Sequence, residues 1–152
     1  MAVDVEERTT IAVPPAEVYA AVSDVRRMGK RAAECFATWV WSRRDGRPAR
    51  FVGWNRRGGF VWFTTCRVVI ADPGEEFAFD VTAFGQPVAR WGYRLAAVPD
   101  GTEVTEYWED RRSRGAMVLG RIFTGRVTKH RPEANRANMR TTLARLKREL
   151  EG

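Results

Sequence analysis

The sequence predicts an α+β fold, in which a seven-stranded antiparallel sheet wraps around a long C-terminal helix and two short helices follow the first strand. Three observations support this prediction. Apolar and polar residues alternate along the middle of the chain, turn residues interrupt the alternation at short intervals, and the tail instead carries apolar residues at helical spacing. Short connections indicate antiparallel pairing, because parallel neighbours need long crossovers.

The N-terminal part predicts one strand and then two short helices. Residues 3–13 alternate in polarity, and Pro14-Pro15 halts that strand. Pro15 can occupy the first turn of a helix, and apolar residues recur at helical spacing between Val18 and Val22. A second short helical turn is expected over residues 23–28, closed by Gly29.

The middle of the chain predicts six strands, because pairs of turn residues divide it at regular intervals. The turns fall at Asp45-Gly46, Gly58-Gly59, Asp72-Pro73-Gly74, Gly85-Gln86-Pro87 and Asp100-Gly101. The predicted strands are Thr38–Trp41, Arg50–Arg56, Phe60–Ala71, Glu75–Ala83, Val88–Val98 and Thr102–Asp110.

The tail predicts the long helix. Its apolar stripe has intervals of four, three and four residues, which place the side chains on one helix face. The stripe consists of Met139, Leu143, Leu146 and Leu150. We expect this face to lie on the sheet. Upstream glycines and Pro132 predict a break or kink near that proline.

Composition favours a single domain over residues 1–152, since 44% of the residues are hydrophobic and no linker divides the chain. The N-terminus lacks the pattern of a signal peptide, and no stretch approaches the roughly 18 apolar residues of a membrane span. Two cysteines, Cys35 and Cys66, are too few for a disulfide framework or a metal cluster. We therefore expect a cytoplasmic protein with no cofactor and no metal.

A net charge of +7 raises the question of nucleic acid or an anionic membrane surface as a partner. The basic residues are spread along the chain, however, and the paired arginines fall mostly at expected turns or strand ends. We therefore do not expect nucleic acid to be the partner. Whether the chain forms a homodimer is left open.

The alternation also predicts which side chains face inward, because residues two apart share a face of a strand. The expected inward set is Phe51, Gly53, Asn55, Phe60, Trp62, Thr64, Cys66, Val68, Ile70, Phe77, Phe79, Val81, Ala89, Trp91, Tyr93, Leu95, Val104, Glu106, Trp108 and Asp110. This face is rich in aromatic residues, and it also carries polar ones.

Two interpretations of the inward face compete. The rings can simply fill a core, and Glu106 can form a salt bridge with an arginine of a neighbouring strand or of the helix. Alternatively, an apolar cavity with a few convergent polar groups describes a small-molecule site. The polar residues favour the second, because a buried carboxylate is costly unless it is paired or hydrated.

Several motifs together resemble a known family. They are Pro14 to Tyr19, Ser23-Asp24-Val25 with Met28-Gly29, Glu34-Cys35, Gly53 to Gly58 followed by Trp62, Thr64 and Cys66, then Val104-Thr105-Glu106, Trp108-Glu109, and Asn135-Arg136 through Met139 to Leu146. The chain resembles the SRPBCC superfamily, which includes START lipid-transfer domains and the polyketide cyclase/dehydrase group. The resemblance implies the helix-grip fold. The chain departs from the family pattern at Lys30-Arg31-Ala32-Ala33, a loop that would border the pocket mouth.

We predict that the protein binds a hydrophobic small molecule, lipid-like or polyketide-like, in an internal cavity. The predicted ligand-binding residues are Asn55, Trp62, Thr64, Phe77, Phe79, Trp91, Tyr93, Glu106, Trp108 and Asn135. The alternative is a polyketide cyclase/dehydrase-type enzyme. In that case Glu106 would act as general acid or base, because burial can raise the pKa of a carboxyl towards neutrality, and Tyr93 and Asn55 would orient a carbonyl. A Ser-His-Asp triad is not expected, since His130 is the single histidine and fits a surface position.

Overall fold

The computed structural model describes residues 5–31, 35–83, 85–111 and 131–152. Seven strands form one antiparallel sheet: β1 (Val5–Ile11), β2 (Cys35–Arg44), β3 (Arg47–Arg57), β4 (Phe60–Asp72), β5 (Glu76–Ala83), β6 (Gln86–Val98) and β7 (Gly101–Asp110). The helices are α1 (Pro15–Ser23), α2 (Met28–Arg31) and α3 (Arg131–Glu151), with a 3-10 turn at Val25–Arg27. The predicted α+β class, the seven antiparallel strands and the C-terminal helix are confirmed.

The strands β2 to β7 follow one another as a meander, and β1 then pairs with β7, which gives the sheet order β1-β7-β6-β5-β4-β3-β2. The turn between β2 and β3 shows why the connections are so short. Asp45 and Gly46 both have positive φ, 53° and 76°. Two such residues make the type I′ turn whose twist matches that of antiparallel strands.

The second helical segment differs from its prediction. The chain passes from the 3-10 turn directly into α2, which continues through Gly29 to Arg31. Gly29 therefore does not close the segment. Two contacts of Arg31, at the end of α2, explain the extension. The Arg31 carbonyl accepts a hydrogen bond from Arg145, and the Arg31 guanidinium binds Glu149.

Helix α3 lies on the inner face of the sheet. Met139, Leu143 and Leu146 are buried as predicted, and Met139 packs with Trp108. The predicted weak region before Pro132 and the position of His130 lie outside the described residues. Among the described residues, no helix has the length and apolar character needed to cross a bilayer.

Polar contacts also join α3 to β1. Glu7 accepts from Arg136 at 3.0 Å and from Arg140 at 3.1 Å. Near the other end of the helix, Glu151 accepts from the backbone amide of Ala12 at 2.9 Å. These contacts fix the first strand against the last helix.

One member of the expected inward set is on the opposite face. A β-bulge shifts the register between Val68 and Ile70, so that Ile70 lies opposite Ala78. Ala78 stands between Phe77 and Phe79, which are both on the inner face, and therefore points outward. The expectation for Ile70 was wrong because an extra residue in one strand reverses the alternation.

On the outer face, Tyr107 lies across Gly92 of the neighbouring strand. A Cβ at position 92 would overlap the tyrosine ring, so only glycine fits beneath it. The Tyr107 hydroxyl donates to Glu76, and the Arg94 guanidinium lies 4.7 Å from the ring centroid. These contacts explain why Tyr107 is buried although it faces away from α3.

Candidate ligand-binding site

The nine predicted site residues on strands share one face of the sheet. The register places Phe79 opposite Trp91 and Trp91 opposite Trp108. Tyr93 likewise lies opposite Glu106. Since residues paired across strands point to the same side, these side chains all face the interior covered by α3.

Aromatic rings form most of this interior surface. Phe77, Phe79 and Trp108 are buried. The Phe79 ring packs edge-on against Phe51, with 5.3 Å between ring centroids, and Phe77 packs against Tyr19 of α1 at 6.3 Å. Helix α1 thus contributes to the wall.

At the β3–β4 end, Asn55 and Thr64 form one small polar group. The Asn55 side-chain amide donates to the Thr64 hydroxyl at 3.3 Å and to the Gly53 carbonyl at 3.2 Å. Gly53 leaves room for the Thr64 hydroxyl, because a Cβ at that position would lie only 3.3 Å from it. These contacts fix the position of the Asn55 amide.

Glu106 is the principal titratable group of the interior. Its side chain is only 4% exposed, and the neighbouring Tyr93 hydroxyl is hydrogen-bonded to its carboxylate. Burial raises the pKa of Glu106 to about 8, and it also raises the pKa of Tyr93 well above its ordinary value. At neutral pH the Glu106 carboxyl therefore holds its proton in most molecules and can donate a hydrogen bond.

Arg31 is a buried cation that acts electrostatically on both members of this pair. Its guanidinium binds Glu149 of α3 at 3.1 Å and also donates to the Ala21 carbonyl at 3.3 Å. Its positive charge opposes the rise in the pKa of Glu106 without cancelling it. Among the described residues, no salt bridge reaches Glu106; Arg31 pairs with Glu149 instead.

Asn135 brings a second buried polar group into the interior from α3. It is 2% exposed and lies one helical turn before Met139, which packs against Trp108. Within the described parts of the chain, its Nδ2 atom and the Oε1 atom of Glu106 have no hydrogen-bond partner. Buried polar atoms without partners are costly, and they indicate a bound molecule or water.

Both cysteines lie in this interior as free thiols. Burial raises the pKa of Cys35 to about 11 and that of Cys66 to about 12. Cys66 behaves as the small buried residue that its strand position predicts. The two thiols interact electrostatically, and Cys35 also affects Tyr93. The residues around Tyr93 therefore include Cys35 as well as Arg31, and neither was predicted from the sequence.

A separate shallow groove of about 340 Å³ lies on the outer face of the sheet. It is lined by Glu6, Arg8, Arg94, Leu95, Ala96, Glu103 and Thr105. None of the predicted ligand-binding residues contributes to this groove, so it is distinct from the candidate site.

Comparison with known proteins connects this arrangement to a family. Residues 2–151 match the family model described as "Polyketide cyclase / dehydrase and lipid transport". No match was found among curated proteins.

Solved structures agree in fold. A Polyketide_cyc-like protein from Corynebacterium glutamicum is 28% identical, with a TM-score of 0.56 over 97% of this chain and 88% of that one. The di-domain ARO/CYC protein StfQ of the steffimycin biosynthetic pathway is 15% identical, with a TM-score of 0.73 over 97% of this chain and 49% of that one. A START superfamily protein from Mycobacterium smegmatis is 15% identical, with a TM-score of 0.57 over 92% of this chain and 97% of that one.

Proposed function

Because the chain belongs to the polyketide cyclase/dehydrase and lipid transport family, we propose that it binds a hydrophobic small molecule, lipid-like or polyketide-like, between the inner face of the sheet and α3. The proposal depends on one observation. Two buried polar atoms, Glu106 Oε1 and Asn135 Nδ2, lack protein partners within the described parts of the chain.

The chemistry of these two atoms defines the kind of ligand. The protonated Glu106 carboxyl and the Asn135 amide are hydrogen-bond donors, so they suit a molecule that carries carbonyl or hydroxyl oxygens on an apolar body. The aromatic wall supplies apolar contact for that body. Ring-containing ketones and acyl chains with an oxygenated end both have this character.

Native mass spectrometry of freshly purified protein tests the proposal. We expect a co-purified small molecule that is released under denaturing conditions. Asn135→Leu removes one donor. We expect this variant to bind the co-purified molecule at least about tenfold more weakly than the wild type does, which is the usual cost of losing a buried hydrogen bond. Asn138→Leu makes the same change three residues further along α3 and serves as the control.

The proposal fails on a clear result. An interior binding site would be excluded if the wild-type protein carried no small molecule and also took up none of the uncharged ring probe N-phenyl-1-naphthylamine.

A second candidate function, catalysis, is favoured by the pairing of Glu106 with Tyr93. A carboxyl with a pKa near 8 can donate a proton at neutral pH and accept one when ionised. That exchange suits aldol cyclisation or dehydration of a poly-β-ketone, with Tyr93 orienting the reacting oxygen. Turnover of such a substrate by Glu106→Gln at the wild-type rate would exclude this role. Genes for polyketide synthesis beside this one would favour it.

A further inference from the structure

The outer face of the three strands at the β2 edge carries a group of exposed apolar side chains. Their exposed fractions lie between 42% and 63%. Soluble proteins rarely leave so large an apolar area uncovered unless it has a function. We call this surface the outer aromatic patch; it consists of Phe36, Trp39, Trp41, Trp54, Val61 and Phe63.

The strand register shows that the patch is continuous. Trp54 lies opposite Phe63, with 5.5 Å between ring centroids, and the next pair on the outer face is Trp39 with Val52. On the other side of Trp54, Arg56 lies opposite Val61. Successive pairs on one face of a sheet are neighbours, so these side chains form a single surface.

The same three strands are also strongly basic. Residues 35–72, from the start of β2 to the end of β4, contain seven arginines and two acidic residues, Asp45 and Asp72, which gives this segment a charge of +5. The patch is therefore both apolar and strongly positive.

Arginine side chains lie directly over the rings of the patch. The Arg50 guanidinium is 5.6 Å from the Trp41 ring, and that of Arg56 is 6.0 Å from the Phe36 ring. Such contacts leave the charge at the surface while the rings remain uncovered at their edges. Charge and apolar area are therefore presented to the same partner.

We propose that the outer aromatic patch docks the protein on the surface of an anionic phospholipid bilayer. Tryptophan rings favour the headgroup level of a bilayer, and arginines are attracted to anionic lipids. Val61 and Phe63 would enter the boundary between headgroups and acyl chains. This proposal goes beyond ligand binding and does not depend on it, because the patch and the interior lie on opposite faces of the sheet.

Two other partners fit the surface less well. A second copy of the chain would bring two surfaces of charge +5 together, and like charges placed opposite each other across an interface repel. A single-stranded nucleic acid needs rings that are free to stack on bases. Here Arg50 and Arg56 already cover two of them, and Val61 offers no face for stacking.

Flotation with lipid vesicles tests the proposal. We expect wild-type protein to float with vesicles of equal parts phosphatidylcholine and phosphatidylglycerol at low salt. It should be released at about 0.5 M salt, where charges are screened over a few ångströms. Pure phosphatidylcholine vesicles should bind it weakly.

Variants then locate the contact. The double variant Trp39→Ser/Trp54→Ser removes exposed apolar area, and we expect at least about tenfold weaker binding. Arg50→Glu reverses one charge, and we expect a loss of about twentyfold, since each basic residue near an anionic surface contributes about fivefold. Arg8→Glu makes the same charge change on β1, at the opposite edge of the sheet, and should bind as the wild type does.

Each contrary result overturns the proposal. Equal losses in Arg50→Glu and Arg8→Glu would show that binding follows total charge rather than the patch. Failure to float, with a dimer on size-exclusion chromatography that Trp39→Ser/Trp54→Ser dissociates, would assign the patch to a second copy. Failure to float, with binding of labelled oligothymidine that the same double variant abolishes, would assign it to nucleic acid.

Discussion

Replacing Glu106 by glutamine should change how the stability of the protein depends on pH. In the unfolded chain this carboxyl has an ordinary pKa of 4.5, and burial raises the pKa to about 8 in the folded protein. Between these two values the folded state holds a proton that the unfolded state has lost. The free energy of unfolding therefore falls as the pH rises from about 4.5 to about 8, and the contribution of Glu106 is constant above that range.

The size of the effect follows from the two pKa values. Raising a pKa from 4.5 to about 8 corresponds to on the order of 5 kcal/mol at high pH. At pH 5 the carboxyl is neutral in the folded protein, and glutamine has nearly the same shape and polarity. The wild type and Glu106→Gln should therefore be similarly stable at pH 5, and the variant should be the more stable of the two at pH 9.

Thermal denaturation of both proteins between pH 5 and pH 9 measures this difference. For a domain of this size, we expect the melting temperature of Glu106→Gln to rise by about 10 °C relative to the wild type over that interval. Glu103→Gln makes the same chemical change on the outer face of the same strand and should follow the wild-type curve. Stability curves of the wild type and Glu106→Gln that stay parallel would refute the assignment of a buried, proton-holding carboxyl.

Three further predictions concern packing and reactivity. Gly92→Ala should lower the free energy of unfolding by about 2 to 4 kcal/mol in urea denaturation, because the new methyl group overlaps a tyrosine ring, whereas Gly59→Ala, with open space around it, should change it little. Leu146→Ala should cost about 2 to 5 kcal/mol by the same measurement, since this fully buried side chain anchors α3; a cost below about 1 kcal/mol would mean that the helix is not anchored there. Cys35 and Cys66 should react with a disulfide reagent at pH 8 only after the protein is unfolded, because burial raises the pKa of both thiols; rapid reaction of the native protein would contradict their placement.

The sequence predicts the fold well where local chemistry decides it. Asp45-Gly46 adopts the positive φ values that its residue types favour, and Phe77 and Phe79 are buried as their alternation indicates. Prediction fails where the alternation is broken. The bulge before Ile70 adds a residue that no periodic pattern reveals, and further irregularities in β2 explain why Thr38–Trp41 was only part of the observed strand.

The residues of the candidate site likewise include some that the sequence reveals and others that it does not. Glu106 could be singled out because a carboxylate on an apolar face is conspicuous in a strand pattern. Arg31 could not, because its burial depends on Glu149, which is 118 residues away in the sequence. The outer aromatic patch was also missed, since alternation assigns one face to the interior and gives no measure of how uncovered the other face remains.

The pairing of the first strand with the seventh has a consequence for synthesis on the ribosome. Val5 is opposite Trp108, so β1 has no neighbour in the sheet until more than a hundred residues have been translated. Strands β2 to β6 can form as a meander while the chain is still growing. Contacts so distant in sequence form slowly, because a long loop must close first. The nascent chain therefore acquires its native edge only at the end, when β7 and then α3 emerge from the exit tunnel.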